Sequence, residues 1–161
     1  MPAGTSGLLT SGGSTATLTA VVAARHAADP SGDMVPRLTI YTSEQAHSAT
    51  DKAALALGIG LENVVHIGTD AEFRMRTELL ERAIAEDRAR GWLPLACVAT
   101  VGTTGMTSVD PVPAIADLCA RHDLWLHVDA AYGGAAAFSP QLRPLLDGIE
   151  RADSISFDPH K

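Results

Sequence analysis

The chain has 161 residues, enough for one ordinary domain and too few for two large ones. Twelve Lys and Arg stand against 19 Asp and Glu, a formal net charge of −7 with no Lys/Arg-rich run, which argues against nucleic-acid and anionic-membrane partners. An apolar fraction of 46% excludes wholesale disorder, and with aromatics at only 4% the core must come from small aliphatics, mainly Ala, Val and Leu.

In chain order, Met1 to Leu9 carry no positive charge and no long apolar run, so they do not form a signal peptide. Residues 7–13 are a Gly/Ser/Thr loop. Residues 14–28 follow as a helix with Leu18, Val21 and Val22 on one face, broken by Asp29-Pro30-Ser31-Gly32-Asp33. Residues 38–42 form a short strand. Residues 46–57 form an Ala-rich helix ended by Gly58 and Gly60, and residues 64–67 another strand. Residues 77–90 are the clearest amphipathic helix, with Gly91 after it and a solvated charged face in which Glu78 pairs with Arg82 and Glu86 with Arg90. Residues 95–101 are an unbroken apolar strand closed by Gly102. Residues 113–122 are a helix entered through Pro111 and Pro113. Two more strands follow, at residues 124–128 and 154–157. The uncharged stretches 8–24 and 91–109 are interrupted by Gly, Ser, Thr or Pro and do not read as membrane spans. Cys97 and Cys119 fit two reduced thiols of a cytosolic protein. His26, His66 and His122 have no ligand spacing, and no metal site is expected.

This alternation predicts an α/β fold: a mostly parallel sheet flanked by helices. Such sheets carry their chemistry just beyond the carboxyl ends of the strands. There the sequence places Ser43-Glu44-Gln45-Ala46-His47, Gly102-Thr103-Thr104-Gly105, Asp129-Ala130-Ala131-Tyr132-Gly133-Gly134 and Asp158-Pro159-His160-Lys161. The loop Ser11-Gly12-Gly13-Ser14 enters a helix directly and offers amide donors to an anion. It lacks the lysine of a P-loop. Taken singly, each feature has an ordinary explanation: a turn-capping Asp129, a solvated terminal Lys161, a surface His47, a plain Gly-rich turn. Together they supply what pyridoxal phosphate requires. The phosphate takes amide donors, a lysine amine forms the aldimine, and a carboxylate keeps the pyridine nitrogen protonated. A planar side chain on one ring face and a small one on the other complete the set.

Gly7-Leu8-Leu9-Thr10-Ser11-Gly12-Gly13-Ser14-Thr15-Ala16-Thr17, Tyr41-Thr42-Ser43-Glu44-Gln45-Ala46-His47-Ser48, Gly102-Thr103-Thr104-Gly105, His127-Val128-Asp129-Ala130-Ala131-Tyr132-Gly133-Gly134 and Asp158-Pro159-His160-Lys161 occur in this order over nearly the whole chain. They resemble the group II pyridoxal-phosphate-dependent amino-acid decarboxylases, which include aromatic-L-amino-acid and glutamate decarboxylases. The resemblance implies that Lys161 is the Schiff-base lysine, Asp129 the pyridinium partner and Ala131 the small residue under the ring. It implies that His47 stacks on the other face, that Thr104 lies near the phenolic oxygen, and that Gly12, Gly13 and Ser14 hold the phosphate. Asp158 and His160 fall near the phosphate and the aldimine, Asp158 with a lesser, structural role because a phosphate dianion repels a carboxylate.

The fold so implied is part of the large domain of the aspartate-aminotransferase-like, fold type I enzymes. The expected reaction is decarboxylation of an L-amino acid to the amine and carbon dioxide through a Lys161 aldimine. Asp129 there stabilises the ring that receives the electrons. The family's chains are several hundred residues long. The 161 residues are therefore expected to be a partial cofactor-binding large domain without the N-terminal segment and the C-terminal small domain, weakly active or inactive alone. The full-length parent is expected to be a cytoplasmic homodimer. The competing readings are another fold type I enzyme such as an aminotransferase, and a non-catalytic truncated remnant. The Gln-Ala-His-Ser and Asp-Pro-His-Lys segments favour the decarboxylases.

Overall fold

Five short, β-branched or aliphatic runs build one sheet, and the computed structural model describes it within residues 5–161. Residues 1–4, the start of the stretch rejected as a signal peptide, lie outside the described residues. The strands are β1 (Leu38–Ser43), β2 (Val64–Ile67), β3 (Leu93–Thr100), β4 (Trp125–Ala130) and β5 (Ser154–Phe157). They lie in the order β2-β1-β3-β4-β5, and every neighbouring pair is parallel. Parallel neighbours need crossovers, and helices supply most of them. The helices are α1 (Gly13–Ala28), α2 (Ala49–Ala56), α3 (Thr77–Ala89) and α4 (Val112–His122).

The strands' period of two sorts side chains onto two faces. Cys97, Ala99, Leu126, Val128 and Ala130 pack with Leu80 and Ile84 of α3 and with Ile115, Leu118 and Cys119 of α4. Leu38, Ile40, Ala96 and Val98 pack with Val21 and Ala24 of α1 and with Ala53 and Ala54 of α2. Both faces are covered, as a parallel sheet requires. Cys97 and Cys119 are free and buried. The Cys119 side chain and burial together push the Cys97 thiol well above its usual range.

Several boundaries differ from the sequence expectation. Helix α2 starts at Ala49 instead of residue 46, because residues 44–48 turn first: Ser43 Oγ accepts the Gln45 amide at 3.1 Å, and Ser43 O accepts the Ala46 amide at 2.9 Å. Strand β3 opens at Leu93 and ends at Thr100. Strand β4 runs to Ala130, so Asp129 sits inside the strand, not beyond it, paired in register with Thr100 and Ser156. The charge pairs along α3 also shift by one partner: Glu78 meets Arg76 at 2.7 Å and Glu86 meets Arg82 at 2.7 Å. Asp87 of α3 stands apart from these exposed pairs. It is buried and accepts the Tyr41 hydroxyl at 2.7 Å, tying α3 to β1.

Candidate active site

The strand order reverses direction between β1 and β3: the chain leaves β1 outward to β2, and leaves β3 the other way to β4. At such a point the loops after adjacent strands diverge and open a crevice. A cleft of about 150 Å³ lies there. His47 follows β1, Thr100, Gly102 and Thr104 end or follow β3, and Asp129, Ala131 and Tyr132 end or follow β4. Gly13 and Ser14 reach it from the start of α1, Ala49 from the start of α2, and Lys161 from beyond β5.

Each wall has a local cause. Gly12 precedes α1 with no side-chain cap, and the Ala16 amide is the first to bond back, to Gly12 O at 3.0 Å. The preceding amides of the first turn are therefore available to an anion, with the helix dipole behind them. His47 Nδ1 accepts the Ala49 amide at 3.1 Å, so its neutral form carries the proton on Nε2. Asp129 Oδ1 accepts both the Ala131 amide at 3.0 Å and the Ser156 hydroxyl at 2.9 Å. Both bonds fix the carboxylate's orientation and load one oxygen only. His127, two residues earlier on the same face, is buried and hydrogen-bonds Ser154 Oγ through Nδ1 at 2.9 Å. Burial pushes its imidazole below the ordinary histidine range, and the Asp129 carboxylate opposes that only in part. Trp125 donates Nε1–H to the same Ser154 hydroxyl at 2.8 Å.

The loops after β3 and β4 touch through glycine. A Cβ on Gly133 would lie 2.4 Å from Val101 O, and one on Gly102 would lie 2.8 Å from Tyr132 Cδ1. The first loop folds back as Gly102 and Thr103 amides bond Ser108 O, both at 3.0 Å. Asp110 anchors its base. Its carboxylate accepts the Met75 amide at 2.7 Å and the Thr100 amide at 2.8 Å, while its own amide bonds Thr100 O at 2.9 Å. Burial raises the Asp110 carboxyl, and these two amides hold it partly down.

Of the residues singled out in the sequence, Gly13, Ser14, His47, Thr104, Asp129, Ala131 and Lys161 line the one cleft. Gly12, Asp158 and His160 do not. Gly12 is the turn into α1, and Asp158 Oδ1 closes a turn on the His160 amide at 2.9 Å, just before Lys161. The sequence reading omitted Ala49, Thr100, Gly102 and Tyr132 as lining residues. Strand periodicity puts Thr100 on the Ala96, Val98 face at the end of β3, but only its register with Asp129 singles it out. A second depression of about 610 Å³, among Arg143, Leu146, Asp147 and Glu150, contains none of the singled-out residues.

The cleft's donor set fits a flat, phosphorylated aldehyde with a basic ring nitrogen. It has amides for the phosphate, a half-buried carboxylate for the nitrogen, a lysine amine for the aldehyde and a methyl-sized Ala131 under the ring. The family model of the pyridoxal-dependent decarboxylase conserved domain matches residues 2–161. The chain belongs to that family. It is 48% identical over 126 residues to the human acidic amino acid decarboxylase GADL1, covering 78% of this chain and 24% of that protein. It superposes on the apo crystal structure of mouse CSAD with a TM-score of 0.94 at 41% identity, covering 97% of this chain and 34% of that one. On the structure of Oryza sativa TDC with PLP the TM-score is 0.82 at 40% identity, over 92% of this chain and 32% of that one. The chain thus spans about a quarter to a third of the length of the curated relatives it matches. Among the described residues, no helix is long and apolar enough to cross a membrane.

Proposed function

We propose that the protein carrying this chain decarboxylates an L-amino acid with pyridoxal phosphate, and that residues 1–161 are part of its cofactor-binding large domain. The observation that carries the reading is that Lys161 and Asp129 line one cleft together with the start of α1. When bound, the cofactor supplies an electron sink for the pair released as the bond from Cα to the carboxylate breaks. Lys161 Nζ would be the amine that holds the cofactor's aldehyde. Asp129, held by the Ala131 amide and Ser156, keeps a proton on the ring nitrogen. The amides of Gly13 and Ser14 hold the phosphate, with Gly12 setting the turn. His47 offers a planar ring to one face and Nε2–H as a donor, Ala131 leaves the other face free, and Thr104 offers a hydroxyl. Asp158 and His160 form the turn that presents Lys161.

We extend the reading to a cytoplasmic homodimer for the whole protein. It is supported by two free buried thiols and by exposed apolar groups, with Leu9 99% and Phe138 79% accessible.

The chain contains only two lysines, Lys52 and Lys161, which makes the test clean. Pyridoxal phosphate is added, borohydride fixes what has bonded, and peptide mass mapping locates it. The expected result is label on Lys161 and little on Lys52, abolished in Lys161→Ala. Equal label on both lysines overturns the proposal. An assay of carbon dioxide against keto acid with an L-amino acid then separates decarboxylation from transamination.

A further inference from the structure

Most buried hydroxyls of this fold are spoken for. Thr17 Oγ1 bonds Gly13 O, Thr39 Oγ1 meets Tyr41, Thr42 Oγ1 bonds Val98 O, Thr103 Oγ1 meets Ser108 and Ser156 Oγ bonds Asp129. Thr100 Oγ1 is the exception. Among the described residues it is the one fully buried hydroxyl without a hydrogen-bond partner, on a residue only 4% exposed. An unpaired buried hydroxyl has given up its bonds to water for nothing in return, so a polar group left this way in a well-packed fold calls for a reason.

Its position supplies one. Thr100 lines the cleft and is the register partner of Asp129 on the neighbouring strand, so the two side chains lie side by side on one face of the sheet. The Asp110 carboxylate grips its amide at 2.8 Å, and the Asp110 amide grips its carbonyl at 2.9 Å, leaving the backbone little freedom. The β-branched side chain has few rotamers besides. A pinned hydroxyl with no protein partner is therefore held beside the one carboxylate of the cleft, whose Oδ1 is already loaded by Ala131 and Ser156.

We propose that Thr100 is a ligand-binding residue, whose hydroxyl hydrogen-bonds a polar substituent of the ring that occupies the cleft beside Asp129. This rests on the pyridoxal phosphate reading above. Binding then satisfies Thr100 Oγ1 at the same time as it neutralises Asp129. The ligand-free chain carries the unpaired hydroxyl, and the loaded chain does not.

The test exploits opposite signs. Thr100→Val keeps the shape and removes the hydroxyl, Thr100→Ser keeps the hydroxyl, and Thr100→Ala removes it with less bulk should the valine variant fail to fold. Pyridoxal phosphate affinity is read by absorbance titration, and thermal unfolding is measured without ligand. Thr100→Val is expected to bind the cofactor ~5- to 10-fold more weakly, the loss of one hydrogen bond. Its ligand-free melting temperature should be equal to or above that of the wild type, and Thr100→Ser should stay within about twofold in affinity. Unchanged affinity in Thr100→Val overturns the inference. So does a joint fall of ligand-free stability and affinity that Thr100→Ser fails to restore. A whole wild-type protein that binds no pyridoxal phosphate overturns the functional reading itself, and the inference with it.

Discussion

On the face of the sheet under α3 and α4, the strands present Tyr41, Cys97, Ala99, Leu126, Val128 and Ala130, and the polar groups beside them are paired, the Tyr41 hydroxyl with both Asp87 and Thr39 Oγ1. The face under α1 and α2 changes character along its length. It begins with Leu38, Ile40, Ala96 and Val98 and ends with Thr100, His127, Asp129 and Ser156. Among the described residues, two of the three fully buried side-chain polar atoms without a partner, Thr100 Oγ1 and His127 Nε2, lie in that polar half. One face is built for burial throughout. The other turns from apolar to buried polar groups near the carboxyl ends of the strands, where a ligand can pair with them.

The comparison predicts that stability and chemistry can be broken separately. Ile115→Ala, in α4 against the apolar face and fully buried, should cost about 2–5 kcal/mol in denaturant unfolding. Its affinity for pyridoxal phosphate under native conditions should stay near that of the wild type. Asp129→Asn should do the reverse. The amide's oxygen can still accept from Ala131 and Ser156, so unfolding free energy should change little, while the charge is lost. Decarboxylation by the whole protein should fall by roughly 100-fold or more, as for removal of one preorganised electrostatic group. If the two variants lose stability and activity in equal measure, the division between the faces is wrong.

Much of this division was legible in the sequence, and the reasons it was not wholly so are local. The apolar runs at residues 64–67 and 154–157 gave β2 and β5 their full extents because turn signals bound them closely. Asp129 was legible as a reactive carboxylate but not as a residue inside β4, because a charge within a strand reads as its end until cross-strand partners such as Ser156 are known. His47 was expected to open a helix. The Ser43 side chain delays that helix to Ala49, an interaction no periodicity reveals. Thr100 was passed over because threonine is an ordinary strand residue. Only the register that sets it beside Asp129 distinguishes it from Thr39 or Thr42.

The smallest effect concerns His127, which the polar half holds in a neutral state at a cost. Its imidazole is depressed by burial below the ordinary value of about 6.5, with the nearby Asp129 carboxylate opposing the shift. Between the folded and unfolded values the unfolded chain binds more protons, so stability rises with pH there. The contribution is therefore complete above about pH 6.5 and is lost as the pH falls below it, with a slope of up to about 1.4 kcal/mol per pH unit. Urea unfolding from pH 7.5 down to 5.5 should show this decline, and His127→Gln, which cannot titrate, should flatten it. The same slope in both proteins would leave His127 with no part in the decline. A flattened slope with pyridoxal phosphate affinity intact would place the imidazole's burial cost in the fold, and leave the cleft's chemistry to Asp129 and its neighbours.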